Sequence, residues 1–291
     1  NGSILNKLTQ TNMNNIYITL PKIIEQRKIA DFLDKKCQEI DSVLEKTRES
    51  IEEYKKLKNA VITQAVTKGI RPNRKMKDSG IEWIGEIPEE WGIKKLRYIA
   101  DSFDKGYGIT KEEVFIDGNT PCIRYGEIYS KYNNSFKQCI SKTKKEKLSV
   151  LKYIEKGDIL FVGTGELIEE IGKNIVYLGE ESCLAGGDII ILKHSQDPKF
   201  LNYALNSYYS QIQKSCGKTK LKVVHISSSE LKNIILFLPS LTEQSEIADY
   251  LDKKCSQINN LINKKEQLIT ELETYKKSLI YEYVTGKKEV L

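Results

Sequence analysis

Two long stretches of the chain repeat apolar residues at heptad spacing and contain neither proline nor glycine, one from about residue 22 to Val66 and one from about residue 240 to Val284. In the first, Leu33, Ile40, Tyr54 and Val61 share one register, Val43 and Leu57 occupy the other, and Leu44 and Ile51 widen the stripe. In the second, Leu251, Ile258, Leu272 and Leu279 share a register beside Leu261, Leu268 and Tyr275. Charged residues fill the remaining faces, and Thr47, Ser50 and Lys265 interrupt the seam. Each stretch follows a proline, Pro21 or Pro239, as helices commonly do, and Thr242-Glu243 reads as an N-cap region. Gly69 and Gly286 sit just past the last periodic residues, where a left-handed C-cap favours glycine, and Pro72 stops simple continuation of the first helix. A helix of about 45 residues is about 67 Å long at 1.5 Å per residue. An amphipathic helix of that length needs a partner for its stripe, so the pattern predicts that the two helices pair as an antiparallel coiled coil.

The two stretches are copies. Leu20-Pro21, Glu25-Gln26, Ile29-Ala30-Asp31, Leu33-Asp34-Lys35-Lys36-Cys37 and Ile40 recur as Leu238-Pro239, Glu243-Gln244, Ile247-Ala248-Asp249, Leu251-Asp252-Lys253-Lys254-Cys255 and Ile258. The offset of 218 holds without a gap as far as Val66-Thr67 against Val284-Thr285. That period is far beyond a solenoid repeat and points to a duplicated module with most of one copy lying between the helices. Residues 4–19 align with 222–237 at the same offset, so they are expected to be the closing strand of a preceding module.

Between the helices the texture changes. Residues 78–237 hold both tryptophans, in Ile81-Glu82-Trp83 and Ile87-Pro88-Glu89-Glu90-Trp91. Short β-rich runs follow at 121–125, 158–162, 174–178 and 188–192, separated by Lys156-Gly157-Asp158, Gly163-Thr164-Gly165 and Gly186-Gly187-Asp188. A helical stretch is expected near Lys199–Gln213. The strands do not alternate regularly with helices, so a doubly wound sheet is not expected. The fold class is therefore α+β: one mixed α/β domain plus two long helices. The divisions are 1–19, 20–70, 71–237 and 238–291.

Composition narrows the chemistry. The 291 residues carry a net charge of +6, which permits a polyanionic partner without requiring one. Over 78–237 the 22 basic residues are matched by 22 acidic ones, so only their distribution is informative. Lys142, Lys144, Lys145 and Lys147 cluster, as do Lys214, Lys218, Lys220 and Lys222. The six cysteines form no CxxC and are read as buried thiols rather than a disulfide framework or a metal site, and the only histidines are His194 and His225. No Walker A motif and no Asn/Asp-Pro-Pro-aromatic run occurs. The adjacent pairs Glu169-Glu170 and Glu180-Glu181 read as solvated charge. No stretch approaches the roughly 20 apolar residues of a membrane span, and the absence of a signal peptide predicts a cytoplasmic protein. The chain begins at Asn1 rather than Met, as a processed or truncated end would.

With these residues in place, the chain resembles the DNA-specificity subunits of Type I restriction-modification systems. The resemblance rests on Ile87-Pro88-Glu89-Glu90-Trp91, on Gly157-Asp158-Ile159-Leu160-Phe161 followed by Gly163, Gly165 and Gly172, and above all on the closing run from Ile226-Ser227 through Leu238-Pro239, Glu243-Gln244, Ile247-Ala248 and Leu251-Asp252. It covers nearly the whole chain. It implies a target-recognition domain over 71–237, flanked by two conserved helices at 20–70 and 238–291 and preceded by the remnant of another recognition domain at 1–19. A complete subunit of this kind has two recognition domains. The chain is accordingly expected to be either a fragment or a half-subunit that restores two-fold architecture as a homodimer.

The resemblance further implies a non-catalytic reader of one half of a bipartite double-stranded DNA target. Methyltransferase subunits would dock on the long helices, restriction subunits would join through that complex, and S-adenosylmethionine would be held by the methyltransferase partner, not by this chain. Candidate DNA contacts, chosen because cations, aromatics and amides in loops suit phosphate and base-edge recognition, are Lys105, Tyr107, Arg124, Tyr129, Lys131, Asn133, Asn134, Thr164, Lys218, Lys220 and His225. Candidate helix-pairing residues are Leu33, Ile40, Tyr54, Val61, Leu251, Ile258, Leu272 and Leu279. The competing reading is a structural coiled-coil adaptor with no DNA role.

Overall fold

The structure is a computed structural model that describes residues 10–18, 20–165, 170–218 and 224–290. The chain forms two compact units, one from Asn1–Lys55 with Gln257–Leu291 and the other from Lys56–Ser256. A short helix α1 (Gln10–Asn14) precedes the first long helix α2 (Ile23–Lys68), and the second long helix α7 (Leu241–Val284) closes the chain.

The first unit is an antiparallel helix pair. Phe32 meets Tyr283 with ring centroids 4.6 Å apart. Further along, Lys276 binds Asp41 at 2.6 Å, Arg48 binds Glu273 at 2.8 Å, and the Lys265 ammonium lies 5.8 Å from the Tyr54 ring. Numbers rise on one helix as they fall on the other, so these contacts run in opposite directions. Leu33, Ile40, Leu44 and Leu279 form one buried cluster with Leu272 beside it, and Ile51, Ile258 and Ile262 form a second with Tyr54. The pairing turns about a local two-fold near Ser50 and Leu268, which are counterparts in the 218-residue repeat. Thr47 is buried, and its hydroxyl donates to the Val43 carbonyl of its own helix at 2.7 Å, so the interruption leaves no unsatisfied group. Thr47→Val is accordingly expected to keep stability within about 1 kcal/mol of the parent, as read from urea midpoints. A much larger loss would mean that the hydroxyl also bonds across the pair.

The second unit carries the strands. Its main sheet has the order β4 (Ala100–Lys105), β13 (Ile189–His194), β9 (Ile159–Val162), β11 (Asn174–Tyr177) and β6 (Ser135–Phe136), antiparallel except between β11 and β6. A second sheet has the order β7 (Ser141–Thr143), β5 (Thr120–Ile123), β12 (Cys183–Ala185) and β8 (Tyr153–Ile154), with β5 and β12 parallel. Three two-stranded ribbons complete the β-structure. They are β1 (Met76–Asp78) with β2 (Glu86–Pro88), β3 (Gly92–Lys95) with β15 (Ile235–Leu238), and β10 (Thr164–Gly165) with β14 (Val224–His225). The four β-rich runs of the sequence become β5, β9, β11 and β13. Strands β9 and β11 are buried along their whole length, because helices α4 (Pro198–Asn206) and α5 (Tyr208–Ser215) share a core with them.

The signature residues lock this unit to the start of α7. Glu243 is 3% exposed. Its carboxylate accepts from the Arg74 guanidinium and, at 3.3 Å, from the indole N–H of the fully buried Trp91. Arg74 also lies 5.6 Å from the Trp91 ring centroid. Gln244 accepts from the Asp197 backbone at 3.0 Å and donates to the Pro239 carbonyl at 3.0 Å. Val61 and Leu251, which share the heptad registers, lie in this unit's core. Gly69 ends α2 at φ +75°, against Arg74 and Trp91.

The first copy is not locked in this way. Gln26 repeats the bond to the proline carbonyl, reaching Pro21 at 2.7 Å, but Glu25 is exposed. Ile16, Tyr17, Ile18, Leu20, Ile23 and Ile24 are all at least 59% exposed. Helix α1 falls on α6 (Ser228–Leu231) at the repeat offset, as the internal alignment requires. The closing strand expected at the end of residues 4–19 is not formed over 16–18. Its counterpart β15 is a strand because it pairs with β3.

The helical stretch expected near Lys199–Gln213 is present as α4 and α5, divided at Ser207, whose extended backbone ends α4 and whose hydroxyl caps α5 through the Ser210 amide. One further expectation is corrected. The cysteines are not all free thiols: Cys139 and Cys183 form a disulfide, while Cys37, Cys122, Cys216 and Cys255 stay reduced. The parallel pairing of β6 with β11 and of β5 with β12 brings their two segments together, a contact that spacing cannot reveal.

Candidate nucleic-acid interface

The site begins at a backbone junction between the two sheets. Gly186 donates to Ile123 O at 2.9 Å, and Gly187 donates to Gly108 O at 2.7 Å. Gly106 donates to Ile189 O at 2.8 Å, and Gly163 to Asp188 O at 2.8 Å. The approach is so close that a Cβ on Gly106 would stand 2.0 Å from the Gly186 oxygen, so only glycine fits there. Four segments far apart in sequence thus leave one point, carrying Lys105, Tyr107, Arg124 and Thr164.

Strand β14 adds His225 opposite Thr164, with Nδ1 3.2 Å from the threonine hydroxyl. Lys105, Thr164 and His225 line a cleft of about 560 Å³ together with Phe103, Asp188 and Ser227. Asp188, which also lines it, is held at φ +61°. Tyr129 donates its hydroxyl to the Thr164 carbonyl at 3.1 Å, which ties helix α3 (Tyr125–Ser130) to the same place.

The other predicted residues divide. Lys105 is 71% exposed, with only a 3.9 Å approach to Asp188, and Tyr107 is half exposed. Lys131 and Asn133 are exposed just after α3. Tyr129, expected in a loop, lies on a helix because Glu127 in its first turn accepts from the Arg124 backbone at 3.0 Å. Arg124 turns its guanidinium to Glu127 at 3.3 Å. Asn134 points inward, where Oδ1 accepts from Asn202 at 2.8 Å. Lys218 donates to the His225 carbonyl and to Glu230, each at 2.6 Å. Lys220 lies outside the described residues, as does Lys222. The lysine cluster at 142–147 is elsewhere, with Lys144 paired to Asp117 and Lys147 placed 4.5 Å from the Phe115 ring centroid.

Two lysines outside the candidate contacts also matter here. Lys173 donates to the Tyr129 carbonyl at 3.4 Å and lies 5.2 Å from that ring, and burial pushes its pKa down. Lys214 belongs in sequence to the cluster with Lys218, Lys220 and Lys222, yet it is 2% exposed. Its neighbours Gln211, Gln213 and Ser215 are polar, so no local sequence signal marks its burial. Among the described residues no group of three His, Cys, Asp or Glu side chains is placed to hold a metal, and no helix is long and apolar enough to cross a membrane.

Comparison with known proteins identifies the family. Residues 88–271, which contain the whole cleft, match the family described as Type I restriction modification DNA specificity domain. The chain is 28% identical over 250 residues to the MjaVIII specificity subunit of Methanocaldococcus jannaschii, covering 81% of this chain and 55% of that one. It is 31% identical over 184 residues to the putative MjaX specificity subunit of the same organism, covering 58% and 40%. Among solved structures it superposes with TM-score 0.72 at 18% identity on a chain from work on complex assembly and conformational transition of the type I R-M system, covering 97% of this chain and 64% of that one. The chain therefore spans about half the length of the curated relatives it matches.

Proposed function

The chain belongs to the family of Type I restriction-modification DNA specificity domains, and on that footing we propose that it reads one half of a bipartite DNA target without catalysing a reaction itself. The observation that carries this reading is the family match over 88–271, because that span contains every residue of the cleft. Lys105, Lys131 and Lys173 supply positive charge for phosphates. Tyr107, Asn133, Thr164 and His225 supply the donors, acceptors and aromatic faces that discriminate base edges in a major groove.

Methyltransferase subunits dock along the long helices and carry the S-adenosylmethionine, and restriction subunits join through them. In the helix-pair unit, Val43, Leu261 and Leu268 remain 40–46% exposed after the helices have paired, which leaves apolar surface for such a partner. Residues 1–19 are the remnant end of a preceding recognition domain. The exposed first copy, Ile16 to Ile24 with Glu25, receives a second recognition domain of the same kind, supplied by a longer chain or by a second copy. DNA and its methyltransferase place the working complex in the cytoplasm.

The test is a binding selection from a randomised duplex pool, run on the full chain with its methyltransferase subunit and on the methyltransferase subunit alone. The complex should enrich a defined half-site that the methyltransferase alone does not. Equal enrichment in both arms, or no complex at all, would leave the coiled-coil adaptor as the better reading.

A further inference from the structure

Lys214 is a buried lysine with no acidic partner among the described residues. Its ammonium donates to Gly172 O at 2.7 Å, Leu205 O at 2.7 Å and Asn174 Oδ1 at 2.9 Å, so three neutral acceptors take its three protons. The Phe161 ring centroid lies 5.4 Å away. Strands β9 and β11 contain no charged residue, and α4 contains only Lys199, which is committed to Asp252 at 2.7 Å. Burial alone pushes the Lys214 pKa down to about 7. A charged group is costly to bury unless it is hydrogen-bonded, so these three bonds are what allow Lys214 to remain there.

Those bonds lead to two segments of the candidate interface. Through Gly172 O, Lys214 holds the turn Glu170–Lys173, from which Lys173 reaches back to Tyr129. Through Asn174 it begins a relay of buried amides. Asn174 Nδ2 donates to Asn202 Oδ1 at 2.8 Å, and Asn202 Nδ2 donates to both Asn134 O and Asn134 Oδ1 at 2.8 Å. Asn134 ends the exposed segment that bears Lys131 and Asn133. Asn206 braces the relay by donating to Asn174 O at 2.7 Å.

We propose that Lys214 and the Asn174–Asn202–Asn134 relay are a positioning device that sets the 131–134 segment relative to the 170–173 turn, so that this buried lysine controls which DNA sequence is preferred without touching DNA. The inference rests on the DNA-reading assignment above. It adds that selectivity and general affinity have separable structural origins, because phosphate contacts tolerate small displacements and bidentate base contacts do not.

The test cuts the relay at two places, Lys214→Met and Asn202→Ala, in the full chain with its methyltransferase subunit. Melting temperature, affinity for a random duplex and preference for the selected half-site are measured for each. The expected result is a folded variant whose random-duplex affinity stays within about threefold while its half-site preference falls tenfold or more, the range of one well-made base contact. Folded variants with unchanged preference would overturn the inference and leave the DNA-reading assignment standing. So would preference and random-duplex affinity falling together, which marks general damage, or failure of both variants to fold, which marks a structural core. A parent complex that selects no half-site would overturn the assignment beneath it as well.

Discussion

Glu243→Ala is expected to destabilise the recognition unit by about 2–4 kcal/mol, whereas Glu25→Ala, the same residue one repeat earlier, should stay within about 0.5 kcal/mol of the parent. Both residues sit in the same Leu-Pro…Glu-Gln setting, in the first turn of the same kind of helix, so the helix propensity of the substitution cancels in the comparison, although Ser240 caps the Glu243 amide at 3.3 Å and its counterpart is Lys22. They differ in what covers them. Glu243 is buried against the side chain of Arg74, itself 10% exposed, and against the Trp91 indole. Removing it strands a partly desolvated guanidinium and an indole donor. Complete isolation of a buried charge costs about 3–5 kcal/mol, and the exposed Glu90, which also binds Arg74, lowers that figure. Glu25 is exposed, so its loss strands nothing. Urea unfolding of the two variants measures both values. Equal effects would mean that the clamp contributes little or that the first copy is covered in solution, and repeating the Glu25 measurement across protein concentrations separates those two cases.

DNA affinity is expected to fall by about two orders of magnitude between 50 and 200 mM salt. Each phosphate neutralised contributes roughly −0.9 to the slope of log K against log salt. About four engaged cations, among them Lys105, Lys131 and Lys173, therefore give a slope near −3.6. Lys218 is the weaker candidate because Glu230 and the His225 carbonyl already occupy its ammonium. Lys105→Ala should reduce the slope by about one unit and weaken all sequences alike. A slope near zero, with affinity unchanged by Lys105→Ala, would remove the cleft from the binding surface.

The long helices were legible in the sequence because their signals are local. Heptad spacing, an opening proline and a closing glycine each act within a turn or two. The repeat then supplied an internal comparison that needed no homologue. The four central strands were legible for the same reason, as short β-branched runs bounded by glycine. What escaped was set by tertiary pairing. The break at Ser207 depends on a serine hydroxyl satisfying backbone at both helix ends, and serine at that spacing is equally at home inside a helix. Segments 131–134 and 170–173 are brought together by the parallel pairing of β6 with β11, which turns Asn134 toward Asn202, and the packing of α5 against β11 and α4 buries Lys214, although both read as surface residues. The glycines at 106, 163 and 186 read as separate turns, yet together they form one crossing point.

The helix pair also fixes when its parts can meet. Its ion pairs join residues separated by 225 and 235 positions. During synthesis at roughly 5–20 residues per second, α2 leaves the ribosome some 10–45 seconds before the part of α7 that covers it. For that interval Leu33, Ile40, Leu44 and Ile51 are an unpaired apolar stripe on a nascent chain. A ribosome-bound chain stalled before residue 257 should therefore present this stripe to any holding chaperone, and one released after residue 284 should not.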